Sequence, residues 1–218
     1  MIVGANNAGA TQPTSGVINL SKGAKINLSK SGAGQTPLMD ITVGLGWKTQ
    51  KYVGTDDFDL DASVFMQDQN GRTTETGFVF YNNLHGINDS VVHMGDNRVG
   101  GDGVDDDEQI HLMLDKVPDY IQKIAITVTI DSYEQRRQNF GMVDSAYCRL
   151  VDNKTGKEVA RFDLNEDFSI ETAVVIGEVY KHNGDWNFRA IGQGFSGGLQ
   201  SLCPVSYTHL TLPTILQV

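Results

Sequence analysis

Apolar residues along this chain recur mostly with a period of two. Ile41, Val43 and Leu45 alternate with Thr42 and Gly44 ahead of Trp47. Phe58, Leu60, Ala62 and Val64 alternate with Asp57, Asp59, Asp61 and Ser63. Successive side chains of a strand point to opposite faces, so each run predicts a strand with one buried side. Further strands are predicted at residues 77–81, 91–94, 109–114, 124–130, 143–151, 158–164, 173–180 and 186–191. Turn residues fall between them, as in Asn70-Gly71, Lys154-Thr155-Gly156 and Asn183-Gly184-Asp185. Near the start, Ile18-Asn19-Leu20-Ser21-Lys22-Gly23 recurs as Ile26-Asn27-Leu28-Ser29-Lys30-Ser31. That repeat predicts two short strands joined by a tight turn. Helix is scarce; a turn at 118–122 and a segment at 133–138 are the candidates. Short strands at about 8–12-residue spacing define an all-β fold, an antiparallel β-sandwich with one or two short helices.

The 218 residues suit one domain with a sizeable core. Residues 1–16 are rich in Ala, Asn, Gly and Thr and read as a flexible leader, with the sandwich over 17–203. After Arg189 no Asp, Glu, Lys or Arg occurs, and from Pro204 the composition changes character. Residues 204–218 therefore read as an atypical tail, either loose or foreign to the gene.

Charge changes the picture more by its placement than by its total. The net charge is −10, from 27 acids and 17 bases. Two windows, 56–61 and 96–108, hold ten of the acids and one base, leaving 17 acids and 16 bases elsewhere. Without a basic patch, binding of nucleic acid through its phosphates is excluded. No apolar run reaches the roughly 18 residues that cross a bilayer, so direct membrane insertion is not expected. No secretory signal is apparent, and the four Asn-x-Ser/Thr triplets are read as incidental. Cys148 and Cys203 make neither a disulfide framework nor a zinc site, which leaves a reducing cytoplasm as the expected location.

The two acidic windows carry the candidate chemistry. On a strand Asp57, Asp59 and Asp61 share a face, opposite Phe58, Leu60 and Ala62. The second window runs Gly95-Asp96-Asn97-Arg98-Val99-Gly100-Gly101-Asp102-Gly103-Val104-Asp105-Asp106-Asp107-Glu108. Its glycines permit the tight curling that aims carboxylates and carbonyls inward. Two unit charges about 4 Å apart repel by about 4 kcal/mol at an effective dielectric near 20. Six acids in one loop call for a neutralising partner. Calcium suits, since it takes six to eight hard oxygens in irregular geometry, whereas magnesium demands a strict octahedron. An EF-hand is excluded because Ala62 stands where its loop needs Gly. The alternative is a solvated acidic surface.

These residues resemble a known family. Gly46-Trp47 after a Val-Gly-Leu strand, Phe58-Asp59-Leu60-Asp61-Ala62, Gly95-Asp96-Asn97, Asp106-Asp107-Glu108-Gln109-Ile110, Asn139-Phe140-Gly141 and Phe162-Asp163-Leu164 are similar to the TerD family of tellurium-resistance and stress-response proteins. The resemblance runs from about Val17 to Leu202. It implies a calcium-binding β-sandwich in a bacterial stress operon, with companion Ter-family proteins, a membrane component among them, as partners. Carried onto this chain, it gives Asp59 and Asp61 as the strand pair of ligands. Asp96 and Asn97 match the beginning of the loop, and Asp106, Asp107 and Glu108 its end. Asp102 and Asp105 complete the candidate set, in a stretch one residue longer than the family pattern. Asn82, Asn83 and Asp89 are further oxygen donors. Two calcium ions suit this inventory better than one.

Other constellations carry less. Gly192-Gln193-Gly194-Phe195-Ser196-Gly197 matches a dinucleotide-binding fingerprint, but no helix pattern follows and no βαβ unit surrounds it. Paired carboxylates suggest glycoside hydrolysis, yet these lack the apolar setting that raises the pKa of an acid catalyst. A non-enzymatic role is therefore expected. A calcium-dependent carbohydrate-binding module is the principal alternative, with Trp47 and Trp186 as stacking platforms. Those tryptophans otherwise belong to the core. Cys148 reads as a buried small residue, and His85, His93 and His111 as ordinary strand or loop residues.

Overall fold

The structure, a computed structural model, describes residues 16–30, 36–49, 58–96, 106–164 and 168–206; of Asp96 and residues 203–206 it describes the backbone alone. Among these residues twelve strands form two six-stranded sheets. Sheet A runs β1 (Ile18–Leu20), β10 (Lys157–Leu164), β9 (Val143–Asp152), β3 (Asp40–Thr49), β7 (Glu108–Met113) and β6 (Val91–Asp96). Sheet B runs β2 (Lys25–Asn27), β12 (Asp185–Phe195), β11 (Ala173–His182), β8 (Ile121–Ile130), β4 (Leu60–Asp68) and β5 (Thr73–Val79). Pairing is antiparallel except between β1 and β10, which run parallel. The all-β sandwich read from the period-two pattern is the observed architecture.

The alternation is realised in the core. Ile41, Val43 and Leu45 of β3 and Ile110 and Leu112 of β7 face Ala62 and Val64 of β4 and Ile124 and Ile126 of β8, all fully buried. Burial of such side chains supplies about 1.5–3 kcal/mol each, which is why these positions fix strand register. Cys148 and Trp186 are buried, and Trp47 packs against this core.

Two local expectations change. The sextet repeat does not form a hairpin. Its first copy adds β1 to β10 of sheet A, and its second adds β2 to β12 of sheet B. The turn between them, with Gly23 at φ +81° and Ala24 N–H donating to Ser21 O, therefore passes from one sheet to the other. Three-residue strands gain more ladder from a long neighbour than from each other.

A second correction concerns the glycine-rich end of β12, which leads into helix α2 (Gly198–Ser206). That helix covers the outer side of sheet B, where Leu202 joins Phe65, Phe78, Phe80, Ala125 and Ala173 in a second apolar cluster. It also runs through the expected domain end at Cys203, while residues 207–218 lie outside the described residues. The other two candidates hold: 118–122 is a turn closed by Ile121 N–H on Pro118 O, and the 133–138 segment contains the short helix α1 (Tyr133–Arg136).

Candidate functional site

The Asp-x-Asp strand and the end of the acidic loop meet at one end of the sandwich. Leu60 and Ala62 point into the core, so Asp61 points to the outer face of sheet B. Leu60 pairs with Ile130, and Asp131 N–H donates to Asp59 O at 2.8 Å. Asp131 is thereby added to the Asp59/Asp61 group. Burial, then the charges of Glu108, Asp59 and Asp131, push the Asp61 carboxyl up to about 7, so the expectation that these acids lack a pKa-raising setting does not hold for Asp61.

The consecutive acids Asp106, Asp107 and Glu108 reach three different environments. Asp106 is buried against sheet A. Its Oδ1 accepts from Tyr147 Oη at 3.0 Å and Arg149 Nε at 2.7 Å. Its Oδ2 accepts from Arg149 Nη2 and Gln109 Nε2, each at 2.9 Å. A carboxylate has about four acceptor positions, so this one is saturated. Two glycines of β3 make the room: a Cβ on Gly44 would overlap the Asp106 carboxylate, and one on Gly46 the Tyr147 ring. Arg161 stacks over the same ring at 3.9 Å.

Asp107 turns toward β3, where its Oδ2 accepts the Trp47 N–H at 2.7 Å and its own N–H donates to Leu45 O at 2.8 Å. Burial lifts its pKa, the Trp47 hydrogen bond opposing. Glu108 points inward. Its Oε2 accepts Ala62 N–H at 2.5 Å, a link from β7 of one sheet to β4 of the other. His93, also buried, stands 3.4 Å from that oxygen through Nε2, which has no hydrogen-bond partner among the described residues. Its Nδ1 accepts Gly95 N–H at 3.1 Å, so the Nε2 position carries the proton. The β6–β7 register sets Asp96 opposite Glu108.

Comparison with known proteins places this arrangement. The TerD domain family matches residues 17–205. The chain belongs to the TerD family. It is 51% identical over 183 residues to general stress protein 16U of Bacillus subtilis (strain 168), covering 84% of this chain and 93% of that one. It is 49% identical over 188 residues to tellurium resistance protein TerD of Serratia marcescens, covering 85% and 95% respectively. A crystal structure of a homologue of telluride resistance protein TerD from Streptomyces coelicolor A3(2) shares the fold. Its TM-score is 0.62 at 17% identity, over 78% of this chain and 99% of that one.

In this TerD-family chain, then, Asp59, Asp61 and Glu108 come together at one end of the sandwich, with Asp96 brought beside Glu108 by its backbone. Asp107 is tied to β3 and Asp106 to Arg149. Asn97, Asp102 and Asp105 lie outside the described residues. Among those described, no three His, Cys, Asp or Glu side chains stand where they could hold a metal ion. Asn83 Nδ2 donates to Phe78 O at 2.5 Å, and Asp89 pairs with His85 at 3.0 Å, so both serve their own turn. Sequence reasoning missed Asp131, Tyr147, Arg149 and His93. Only His93 left a signal, as an inward position two residues after Val91. The glycine fingerprint lies at the end of an antiparallel strand pair, and Gly197 and Gly198 N–H both donate to Thr172 Oγ1. Among the described residues no helix is long and apolar enough to cross a membrane.

Proposed function

We propose that this chain is a non-enzymatic, calcium-binding module of a bacterial tellurium-resistance and stress-response system. The names of its relatives support the stress role. The observation that carries the calcium reading is the carboxylate group at the sandwich end, where burial first, and then the charges of Glu108, Asp59 and Asp131, hold Asp61 near 7. The donors there are hard oxygens, which suits calcium in kind. Asp59, Asp61, Asp96, Asp107 and Glu108 would hold it, with Asn97, Asp102 and Asp105 from the loop. Asp106 is withdrawn from that set because Arg149, Tyr147 and Gln109 already fill its oxygens. Two ions remain the expected number.

Bound calcium would supply concentrated positive charge tolerant of irregular oxygen geometry. The chain's own residues do the positioning. Glu108 joins the two sheets through Ala62, and Asp107 fastens the loop end to Trp47. A loop ordered between these anchors presents a defined surface to companion Ter-family proteins, a membrane component among them, from the cytoplasmic side. Thermal unfolding in EDTA against micromolar free calcium tests the reading. A rise in Tm is expected, equivalent to about 2.7 kcal/mol at a hundredfold excess over Kd. An unchanged Tm overturns it.

A further inference from the structure

An open cavity of about 280 Å³ lies beside Asp61, between β4, α1 and the start of α2. Tyr81 and Tyr133 line it, with the Phe80 ring edge-on to Tyr81 at 5.3 Å. Asp61, Asp131 and Glu134 give it its charge, and no Lys, Arg or His is among the described residues that line it. Arg136 Nη2 stands 3.9 Å from both Asp59 and Asp131, so one guanidinium is spread over two of the four carboxylates at this mouth.

Acidic residues alone would be a solvated face. Aromatic walls and size give this cavity a direction. Tyrosine faces attract cations through their ring quadrupole, and they do so best where carboxylates share the head group. The volume falls below the roughly 300–1,000 Å³ of drug-sized ligand sites, which suits one long side chain rather than a cofactor. An anion is disfavoured, since the Gly197 and Gly198 amides at the start of α2 are spent on Thr172 at 3.0 and 2.8 Å. Tyr81 is itself half exposed, and Leu84, which is not part of the lining, is exposed too, giving a flanking peptide something to cover.

We propose that this cavity receives one Lys or Arg side chain from a basic segment of a partner protein, its head held by Asp131, Glu134 and Asp61 and its stem laid against Tyr81 and Tyr133. The docking goes beyond the calcium reading and does not require it: the cavity shares only Asp61 with the proposed calcium ligands, and Tyr81, Asp131, Tyr133 and Glu134 belong to the cavity alone.

The test is a titration of the 15N-labelled full chain in EDTA, followed by amide chemical shifts. The probes are acetyl-Gly-Gly-Lys-Gly-Gly-amide, its norleucine counterpart and spermidine. The lysine peptide is expected to shift the amides of residues 61, 81, 131–135 and 197–200 saturably, and the norleucine peptide to leave them in place. Asp131→Asn and Tyr81→Leu should each weaken binding by about threefold or more. Asp115→Asn, an exposed acid at the other end of the sandwich, should leave it unchanged. Equal weakening by Asp115→Asn, or none by Tyr81→Leu, reveals a diffuse acidic surface and overturns the proposal. Spermidine binding about tenfold tighter than the lysine peptide overturns the partner assignment in favour of a small-amine site. Because EDTA is present throughout, a failure of calcium binding leaves these outcomes readable.

Discussion

Arg149 grips Asp106 with two parallel hydrogen bonds, Nε to Oδ1 at 2.7 Å and Nη2 to Oδ2 at 2.9 Å, over the strip of β3 that Gly44 leaves bare. The Asp106 side chain is 0% exposed and that of Arg149 is 24% exposed. Removing one partner strands a buried charge, a loss of about 3–5 kcal/mol for a fully buried pair and nearer the lower figure here. Arg149→Met and Asp106→Asn should therefore each lower the urea midpoint substantially, and the double variant should lose less than the two added together. Additive losses would mean that the pair is not coupled. Gly44→Ala should cost about 1–3 kcal/mol by overpacking against Asp106. In calcium titrations Asp106→Asn should keep the metal-induced rise in Tm, while Asp61→Asn removes most of it.

Glu108 should separate a structural role from a metal role by substitution. Glu108→Ala leaves the Ala62 N–H buried without an acceptor, a loss of about 1–3 kcal/mol. Glu108→Gln keeps an oxygen for that N–H and removes only the charge. Its Tm in EDTA should stay close to the parent's, and its calcium-induced rise should fall. Equal Tm losses for Ala and Gln in EDTA would show that charge, not the link to Ala62, holds the sheets together there.

Much of this was visible in the chain because the physics is local. Ile41, Val43 and Leu45 alternate since β3 has one apolar face, and the Asp59/Asp61 run could be seen to project carboxylates opposite Leu60 and Ala62. What failed to show depends on partners distant in sequence. Nothing near Asp106 marks it as Arg149's mate rather than a metal ligand, because the pair forms only when β9 lies beside β3. Asp131 joins Asp59 only through the β4–β8 register. The 18–31 repeat misled for a related reason, since two similar three-residue strands carry no record of which sheet each extends. Helix α2 was hidden because no helix pattern follows Gly197 and Gly198 in the sequence; its beginning is capped from afar by Thr172.

Cys148 lies 1% exposed in β9, where burial foremost, and then the Asp106 charge, push its thiol up to about 12. At pH 8 about one molecule in ten thousand would hold the thiolate. In a Cys203→Ser background the native protein should not react with a thiol-exchanging disulfide reagent over minutes, and should react stoichiometrically in 6 M guanidinium. Fast native reaction would mean that β9 opens locally, at odds with its place between β10 and β3.

Asp40, at the start of β3, supplies a pH dependence free of the acidic loop. Its carboxylate accepts from Asn153 Nδ2 and shares a 2.7 Å hydrogen bond with His111 Nε2. The Asn153 bond first, and the His111 bond next, hold its pKa below the ordinary 3.8. A depressed acid binds fewer protons folded than unfolded, so it stabilises the fold above the unfolded value. That contribution is lost as pH falls through the lowered one. With the side chain 40% exposed, solvent screening keeps the effect below about 1 kcal/mol. Thermal melts from pH 5 down to pH 2.5 should accordingly fall less steeply for Asp40→Asn than for the parent, the two curves converging at the acid end. Parallel curves would show that the Asn153 and His111 contacts do not favour the carboxylate in solution.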